Sequence, residues 1–144
     1  MVDAVPALIA PKAIKLFESF GVFTESELRS RAEIKYEAYA KAINIEAKSM
    51  IDIASKHIIP AVVSYTTELA NSVIAVSEAG VDSSTQKELL DEVTKYLKEM
   101  KAALKKLTEV TEKASDITEG KEQATYFRAV SYTHLRAHET RSNL

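Results

Sequence analysis

The chain has 144 residues, a net charge of −2 from 19 basic and 21 acidic side chains, and no cysteine. This length suits one domain with a real core, while the mixed charges give neither the basic stripe that nucleic acid requires nor an acidic tail, and the lack of thiols excludes a disulfide framework and thiol catalysis. The longest apolar run, Ile58 to Val63, is far shorter than the roughly 20 residues that span a bilayer, so we expect a cytoplasmic protein with no membrane or nucleic-acid partner.

The first predicted element is a short helix that begins at Pro11. The residues before it contain Pro6, and they carry Asp3 where a secretion signal needs positive charge, so they do not read as a signal peptide. Proline suits the first turn of a helix, and Gly21 can adopt the left-handed conformation that ends one. The apolar face of this helix comprises Ile14, Leu16, Phe17 and Phe20. We expect this face to pack beside the start of the next element.

The second element is one long helical arm over residues 24–79. The arm contains no glycine and a single proline, and its apolar residues recur at steps of three and four, which is typical of an amphipathic helix. Thr24 and Glu27 have the spacing of a capping box, in which each side chain accepts a hydrogen bond from the backbone amide of the other. The arm is therefore predicted to start at this threonine.

The apolar seam of the arm changes phase near His57. Its members before the change are Tyr36, Ala40, Ile43, Ala47, Met50 and Ala54, and its members after it are Val62, Tyr65, Leu69 and Val76. Pro60 lies at the change; it lacks the amide that would bond the carbonyl of Lys56, and its ring crowds that carbonyl. We predict a kink in a continuous helix, with a break into two helices as the alternative.

A second long helix is predicted from Ser84 to Ser115. Gly80 ends the arm, and the next polar residues, Asp82, Ser83 and Ser84, are candidate caps. The main apolar row comprises Leu90, Val93, Leu97, Met100, Leu104, Leu107, Thr111 and Ala114, and a second row comprises Leu89, Tyr96, Ala103, Val110 and Ile117. The short turn favours antiparallel packing against the arm.

Two apolar rows imply two neighbours for this helix. One is the arm; the other is either a weaker helical segment at about Thr118 to Ala129 or a surface absent from this chain, and the sequence favours the absent surface. An apolar stripe left uncovered would promote self-association, so we expect a homo-oligomer. The fold class is thus all-α: a long kinked helix packed antiparallel with a second long helix, plus short N-terminal and C-terminal helices in a helical bundle.

The last residues differ in composition from the rest. VSYTHLRAHETRSNL contains two of the three histidines and no lysine, and the string resembles the translated read-through of a sequencing adaptor. We therefore expect a helical domain over residues 1–129 and a foreign or frayed tail over residues 130–144.

The histidines are weak candidates for a metal site. His134 and His138 are four residues apart, next to Glu139, but their order differs from that of the zinc protease motif and no further ligand is evident. His57 has no carboxylate at the three-residue offset that di-iron bundles use, so a partly buried or kink-side histidine is the simpler interpretation.

Other polar residues also fit structural roles. Glu33 and Glu37 share a helix face that Lys41 continues, which indicates a solvated charged face rather than general acid and base chemistry. The tyrosines at or beside the seams are expected to pack with a hydrogen-bonded hydroxyl: Tyr36, Tyr39, Tyr65 and Tyr96. Glycine occurs only at positions 21, 80 and 120, so no phosphate-cradling loop is predicted. We assign no catalytic, cofactor-binding or metal-binding residue to this chain.

Several short runs nevertheless resemble a known family, the C-terminal helical region of type III glutamine synthetases. The runs are Gly21–Glu25 (GVFTE), Glu27, Leu28, Arg31, Lys41–Ala47 (KAINIEA), Met50–Ala54 (MIDIA) and Ile58–Val62 (IIPAV). The resemblance is detailed from about residue 6 to residue 75. Beyond that, only the helical character and the abundance of lysine and glutamate are similar, and the tryptophan- and proline-containing closing segment expected of the family is missing.

The resemblance implies an ATP-dependent glutamate–ammonia ligase of nitrogen assimilation, which uses ATP and magnesium in large ring-shaped oligomers. The family's metal and nucleotide ligands would lie upstream of Met1, so none is transferred to a residue here and no cofactor is expected in this segment. We interpret the chain as a fragment truncated at both ends, with a structural role beside the catalytic domain of the same polypeptide or neighbouring subunits. The alternatives are a stand-alone helical interaction module and a helical metal or carboxylate enzyme.

Overall fold

The computed structural model describes residues 2–139, with side chains described for residues 2–130. All regular structure in that range is helical: α1 Val5–Leu8, α2 Pro11–Ser19, α3 Glu25–Ile53, α4 Ile59–Glu78, α5 Ser84–Ser115 and α6 Gly120–Glu139. A π-helical turn, Ala54–Ile58, joins α3 to α4 without a break. The predicted all-α helical bundle is confirmed, and the predicted limits of α5 agree with the structure.

The chain divides into two compact units. The terminal unit comprises Met1–Glu46 and Val110–Leu144, and the hairpin unit comprises Ala47–Glu109. The hairpin unit contains the end of α3, the π-helical turn, α4 and most of α5, with a reversal of direction between α4 and α5. The domain limits proposed from the sequence, 1–129 and 130–144, stay predictions.

The terminal unit has a core built from both ends of the chain. Its buried cluster comprises Val2, Val5, Ala32, Tyr36, Ala40, Ala114, Ala124 and Phe127. Helix α6 thus supplies two of the eight members, and the ion pair between Arg128 and Asp3 links α6 to the N-terminal segment. Helix α6 is therefore part of the core, in which Ala124 is fully buried, while the absent surface favoured as a neighbour of α5 stays a prediction.

The start of α6 also lies very close to α3. A Cβ atom on Gly120 would stand 3.1 Å from Cγ of Glu37, so a glycine permits this approach. The backbone of α6 continues to Glu139, ten residues beyond the predicted end at Ala129 (139 − 129). The prediction that residues 130–144 form a foreign or frayed tail stays a prediction, because the side chains from residue 131 onward lie outside the described residues.

Two glycines end helices as the sequence predicts. Gly21 has φ +60° and Gly80 has φ +76°. After α2, the amide of Val22 donates to the carbonyl of Phe17 at 3.0 Å; after α4, the equivalent bond runs from Val81 to Val76 at 3.2 Å. These six-to-one bonds define Schellman motifs, in which the left-handed residue is normally glycine.

The capping box at the start of α3 is confirmed. The amide of Thr24 donates to Oε2 of Glu27 at 2.8 Å, and the amide of Glu27 donates to Oγ1 of Thr24 at 3.3 Å. The first of these bonds is the main reason that the pKa of the Glu27 carboxyl lies below its usual range. At the start of α5, Asp82 accepts bonds from the hydroxyl and amide of Ser84, which lower its pKa in the same way.

The π-helical turn explains the change of phase in the apolar seam. The amide of Ile59 donates to the carbonyl of Ala54, five residues back instead of four, so the turn contains one extra residue. Extending the heptad from Ala54 would place the next two seam residues at His57 and Ala61, whereas the sequence resumes the seam at Val62. The slip is one residue, which is the number that a π-helical turn inserts. Of the two predicted alternatives, the structure has the continuous helix.

Replacing Pro60 by alanine should therefore change the free energy of unfolding by less than about 1 kcal/mol. A proline inside a regular helix costs about 3 kcal/mol, but here the helix is already in π register just before the ring, and the seam residues on either side keep that register. Thermal unfolding of the two proteins at equal concentration tests this. A midpoint raised by about 4 °C or more in the alanine variant would show that the ring itself imposes the irregularity.

Candidate interaction surface

The predicted charged face of α3 is confirmed as solvated. Glu33, Glu37 and Lys41 are all exposed, and Nζ of Lys41 lies 3.2 Å from Oε2 of Glu37. His57 lies in the π-helical turn and is exposed, which agrees with the kink-side alternative and not with the partly buried one. His134 and His138 lie outside the residues whose side chains are described.

The tyrosines divide into two groups. Tyr36 is buried and Tyr39 is half-buried in the terminal unit, as predicted for packing residues. Tyr65 and Tyr96 are 46% and 57% exposed, so the prediction that they pack is wrong for this chain by itself. Among the described residues, no group of three histidine, aspartate or glutamate side chains is arranged to hold a metal ion. The surface features that need an explanation are apolar.

The outer face of α3 is the first of these features. We use this name for Ile34, Ala38, Ala42 and Ile45, all of which are exposed, the two isoleucines by 61% and 65%. The two isoleucines are eleven residues apart, or about three turns, so they project in nearly the same direction. Within the terminal unit this direction is opposite to that of Ala32, Tyr36 and Ala40, which are buried. Helix α3 therefore has one apolar face in the core and a second one in solvent.

The end of α2 adds further exposed apolar area. Ile14 is buried and the ring of Phe17 lies 5.8 Å from that of Phe23, so these two residues anchor α2 as predicted. Leu16 and Phe20 are 55% and 74% exposed, contrary to the prediction that they join the packed face. One helix in contact with α3 along a single side can bury only part of a four-residue apolar face.

Helix α4 presents a second apolar seam in the hairpin unit. Between Lys56 and Glu78 the chain has a single charged side chain, that of Glu68. The outer seam, as we call it, comprises Val63, Thr67, Ala70 and Ile74, spaced by four, three and four residues. Val63 is 47% exposed and Ile74 is 55% exposed. This seam was not predicted from the sequence, although the run without charged residues was a signal for it.

The nearly uncharged run between Lys56 and Glu78 also raises the mean hydropathy of the long helix. The continuous helix Glu25–Glu78 contains an 18-residue window of mean hydropathy 1.2, of which 6% is buried, and is the one helix of the described chain long and apolar enough to cross a membrane by length and composition. A helix that packs on other proteins through uncharged faces has the same composition, so this measure alone does not assign the helix to a bilayer.

The predicted second row of α5 is uncovered over much of its length. Leu89 is 42% exposed, Tyr96 is 57% exposed, Ala103 is exposed and Val110 is half-buried. On one side this row is flanked by Glu92, Glu99 and Lys106, and on the other by half-buried residues of the main row, Val93, Met100 and Leu107. The exposed edge of this row is therefore bordered by charge, unlike the outer seam of α4.

The comparison with protein families gives one match. The model of the glutamine synthetase C-terminal domain matches residues 1–77, which include α1 to α3 and all but the last residue of α4, and hence both the outer face of α3 and the outer seam. This agrees with the extent of the resemblance read from the sequence, about residues 6 to 75. No solved structure matches the chain significantly.

Individual relatives agree with the family match. A glutamine synthetase of Butyrivibrio fibrisolvens is 33% identical over 130 residues, which is 89% of this chain and 19% of that protein. A type-3 glutamine synthetase of Dictyostelium discoideum is 36% identical over 74 residues (51% and 10%), and a glutamine synthetase of Bacteroides fragilis (strain YCH46) is 30% identical over 90 residues (58% and 12%). The chain thus spans at most a fifth of the length of these relatives.

Proposed function

The chain belongs to the glutamine synthetase C-terminal domain family, and from this premise we propose that it is the C-terminal assembly part of a type III glutamine synthetase, non-catalytic by itself. The relative from Dictyostelium discoideum is a type-3 enzyme, which supports the type. The small share of each relative that the chain spans supports the idea that ATP, divalent metal and substrates bind in the remainder of the polypeptide, in a cytoplasmic oligomer.

The observation on which this proposal rests is the outer face of α3. Ile34 and Ile45 lie in the family-matched part of the chain and are more than half exposed, although the opposite side of the same helix forms the core. Fully burying an isoleucine stabilises a protein by about 1.5 to 3 kcal/mol. We propose that this face packs against the catalytic part of the polypeptide or a neighbouring subunit, and that its role is to hold those parts together.

The isolated chain is expected to make no glutamine from glutamate, ammonia and ATP. The physical reason is that the described residues offer no grouped metal ligands and no phosphate-binding loop. The assay should use chain purified from a host that lacks its own glutamine synthetase, with a buffer blank and the intact Butyrivibrio fibrisolvens relative as positive control. Turnover above the blank would contradict the proposal.

A chimaera tests the assembly role directly. In the Butyrivibrio fibrisolvens relative, the segment that aligns with this chain is replaced by the chain itself, and activity and sedimentation are compared with those of the parent. We expect the chimaera to assemble and to be active, and we expect Ile34→Asp with Ile45→Asp to abolish both. The double change of the same isoleucines to leucine is the matched control and should be tolerated. Full assembly of the aspartate variant would contradict an interface on this face.

A further inference from the structure

The outer seam of α4 has the spacing of a helix–helix interface. Val63, Thr67, Ala70 and Ile74 follow the four-three-four spacing of a heptad, and the residues that flank them on the two sides, Ser64, Thr66, Asn71 and Val73, are all uncharged. The inner seam residue Leu69 is buried, whereas Val63 and Ile74 of the outer seam are about half exposed. Helix α4 therefore has two apolar faces. The inner one contains the buried Leu69, and the outer seam lacks a neighbour in the described chain.

Three hydroxyl groups on or near this seam are already hydrogen-bonded within the chain. The hydroxyls of Thr66 and Thr67 both donate to the carbonyl of Val63, at 2.8 and 3.1 Å. The hydroxyl of Ser77 is 2.8 Å from that of Ser83 across the turn between α4 and α5. Burying a polar group is costly mainly when its hydrogen bonds are lost. These side chains keep theirs, so covering the seam with another apolar surface is favourable.

The order of large and small residues along the seam makes it complementary to itself. In an antiparallel pair of heptad helices, each layer combines an a position of one helix with a d position of the other. If Val63 of one copy faces Ile74 of the other, then Thr67 faces Ala70 in the next layer, because the four-three-four spacing is the same in both directions along the helix. The two-fold axis then passes between Glu68 and Leu69. Large side chains form the outer layers and small ones the two central layers.

We propose that a second copy of this chain packs on the outer seam, with the two α4 helices antiparallel about this two-fold axis. A two-fold contact uses the same patch on both copies, so the patch must complement itself in shape and charge. The outer seam does so in both respects, since no charged residue faces its own copy. The contact concerns the hairpin unit and goes beyond the proposed function, which rests on the outer face of α3 in the terminal unit.

Other occupants fit the observations less well. The second row of α5 has charged residues along its exposed edge, and two copies placed there would bring Glu92, Glu99 and Lys106 to the contact. A bilayer would have to accept Glu68 and Asn71 on the same helix, at a cost for each. A surface in the remainder of the proposed glutamine synthetase would not require the seam to be symmetric. A second copy explains why the large residues of the seam would face each other and the small residues would face each other.

Cysteine cross-linking tests the geometry, because the chain has no cysteine of its own. Val63→Cys and Ile74→Cys chains of different mass are mixed and oxidised at micromolar concentration. We expect mixed disulfide dimers in at least tenfold excess over dimers of either variant alone, since like positions in the proposed pair are about 16 Å apart along the axis at about 1.5 Å per residue. Predominant Val63–Val63 linkage would indicate a parallel pair, and no cross-linking would indicate no pair; either result would overturn the proposal.

A charge variant tests the energetics with a matched control on the same helix. Ile74→Glu places a carboxylate in both outer layers, and should weaken dimerisation in sedimentation about a hundredfold or more. Ala75→Glu adds the same charge at an exposed position beside the seam and should leave dimerisation within about threefold. Circular dichroism verifies that both variants fold. Equal dimerisation of the two variants, cross-linking through Tyr96→Cys instead, or a monomer that binds neutral phosphatidylcholine vesicles would each overturn the proposal.

Discussion

Replacing Leu28 by alanine is expected to lower the free energy of unfolding by about 2 to 5 kcal/mol. Leu28 has no exposed surface and is the largest side chain of the described chain that is fully buried. It lies in the first turn of α3, directly after the capping box, where its amide donates to the carbonyl of Thr24 at 3.1 Å. Truncation removes three carbon atoms from a closed site, so both transfer and cavity terms apply.

The matched control for this change is Leu16→Ala. Leu16 is 55% exposed on α2, so the same chemical change should cost less than about 1 kcal/mol. Urea unfolding followed by circular dichroism gives both values, provided that all proteins are compared at one concentration, because self-association would add to the apparent stability. Equal losses of stability for the two leucine variants would contradict the burial of Leu28 in the terminal unit.

Replacing Phe127 by alanine is expected to cost about 3 to 5 kcal/mol. Phe127 is 3% exposed and belongs to the core cluster together with Val2, Val5 and Tyr36, residues that are distant in sequence. Its loss should detach α6 from the N-terminal segment as well as leave a cavity, because the ion pair between Arg128 and Asp3 is exposed and contributes little by itself.

Phe20→Ala is the control for this second change, since Phe20 is 74% exposed. It should alter stability by less than about 1 kcal/mol. The comparison also decides whether α6 is part of the domain or an appendage: if Phe127→Ala costs no more than Phe20→Ala, then α6 does not belong to the core. Amide exchange across residues 120–130 in the Phe127 variant should be faster than in the parent chain.

The regular features of the fold could be predicted from sequence because each one has a local cause. Gly21 and Gly80 end helices through a left-handed residue, and Thr24 with Glu27 starts one, so a few neighbouring residues determine each boundary. The phase change near Pro60 was also visible and a kink was predicted there, but the π-helical turn was not. A one-residue slip between two heptads is the mark of a π-helical turn, and counting the slip would have given that answer.

The features that could not be predicted depend on contacts between distant residues. The burial of Ala124 and Phe127 requires the N-terminal residues Val2 and Val5 to reach α6, and no periodicity reports that. In the same way, periodicity marks Phe20, Tyr65 and Tyr96 as apolar-face residues, but cannot say whether a neighbour covers them. Two exposed surfaces were missed for a related reason: Ile34 with Ile45, and the outer seam of α4, are second faces on helices whose first face already explained the pattern.

The central claim is that the outer face of α3 is an interface with the remainder of a glutamine synthetase. The most direct measurement is the labelling rate of Ile45→Cys by a maleimide, read by mass spectrometry on the peptide that contains it. The rate is compared between the isolated chain and the chimaera with the Butyrivibrio fibrisolvens relative. We predict labelling at least tenfold slower in the chimaera, with Thr85→Cys, an exposed residue beyond the family match, as a control for general access. Equal rates for Ile45→Cys in the two proteins would contradict the claim.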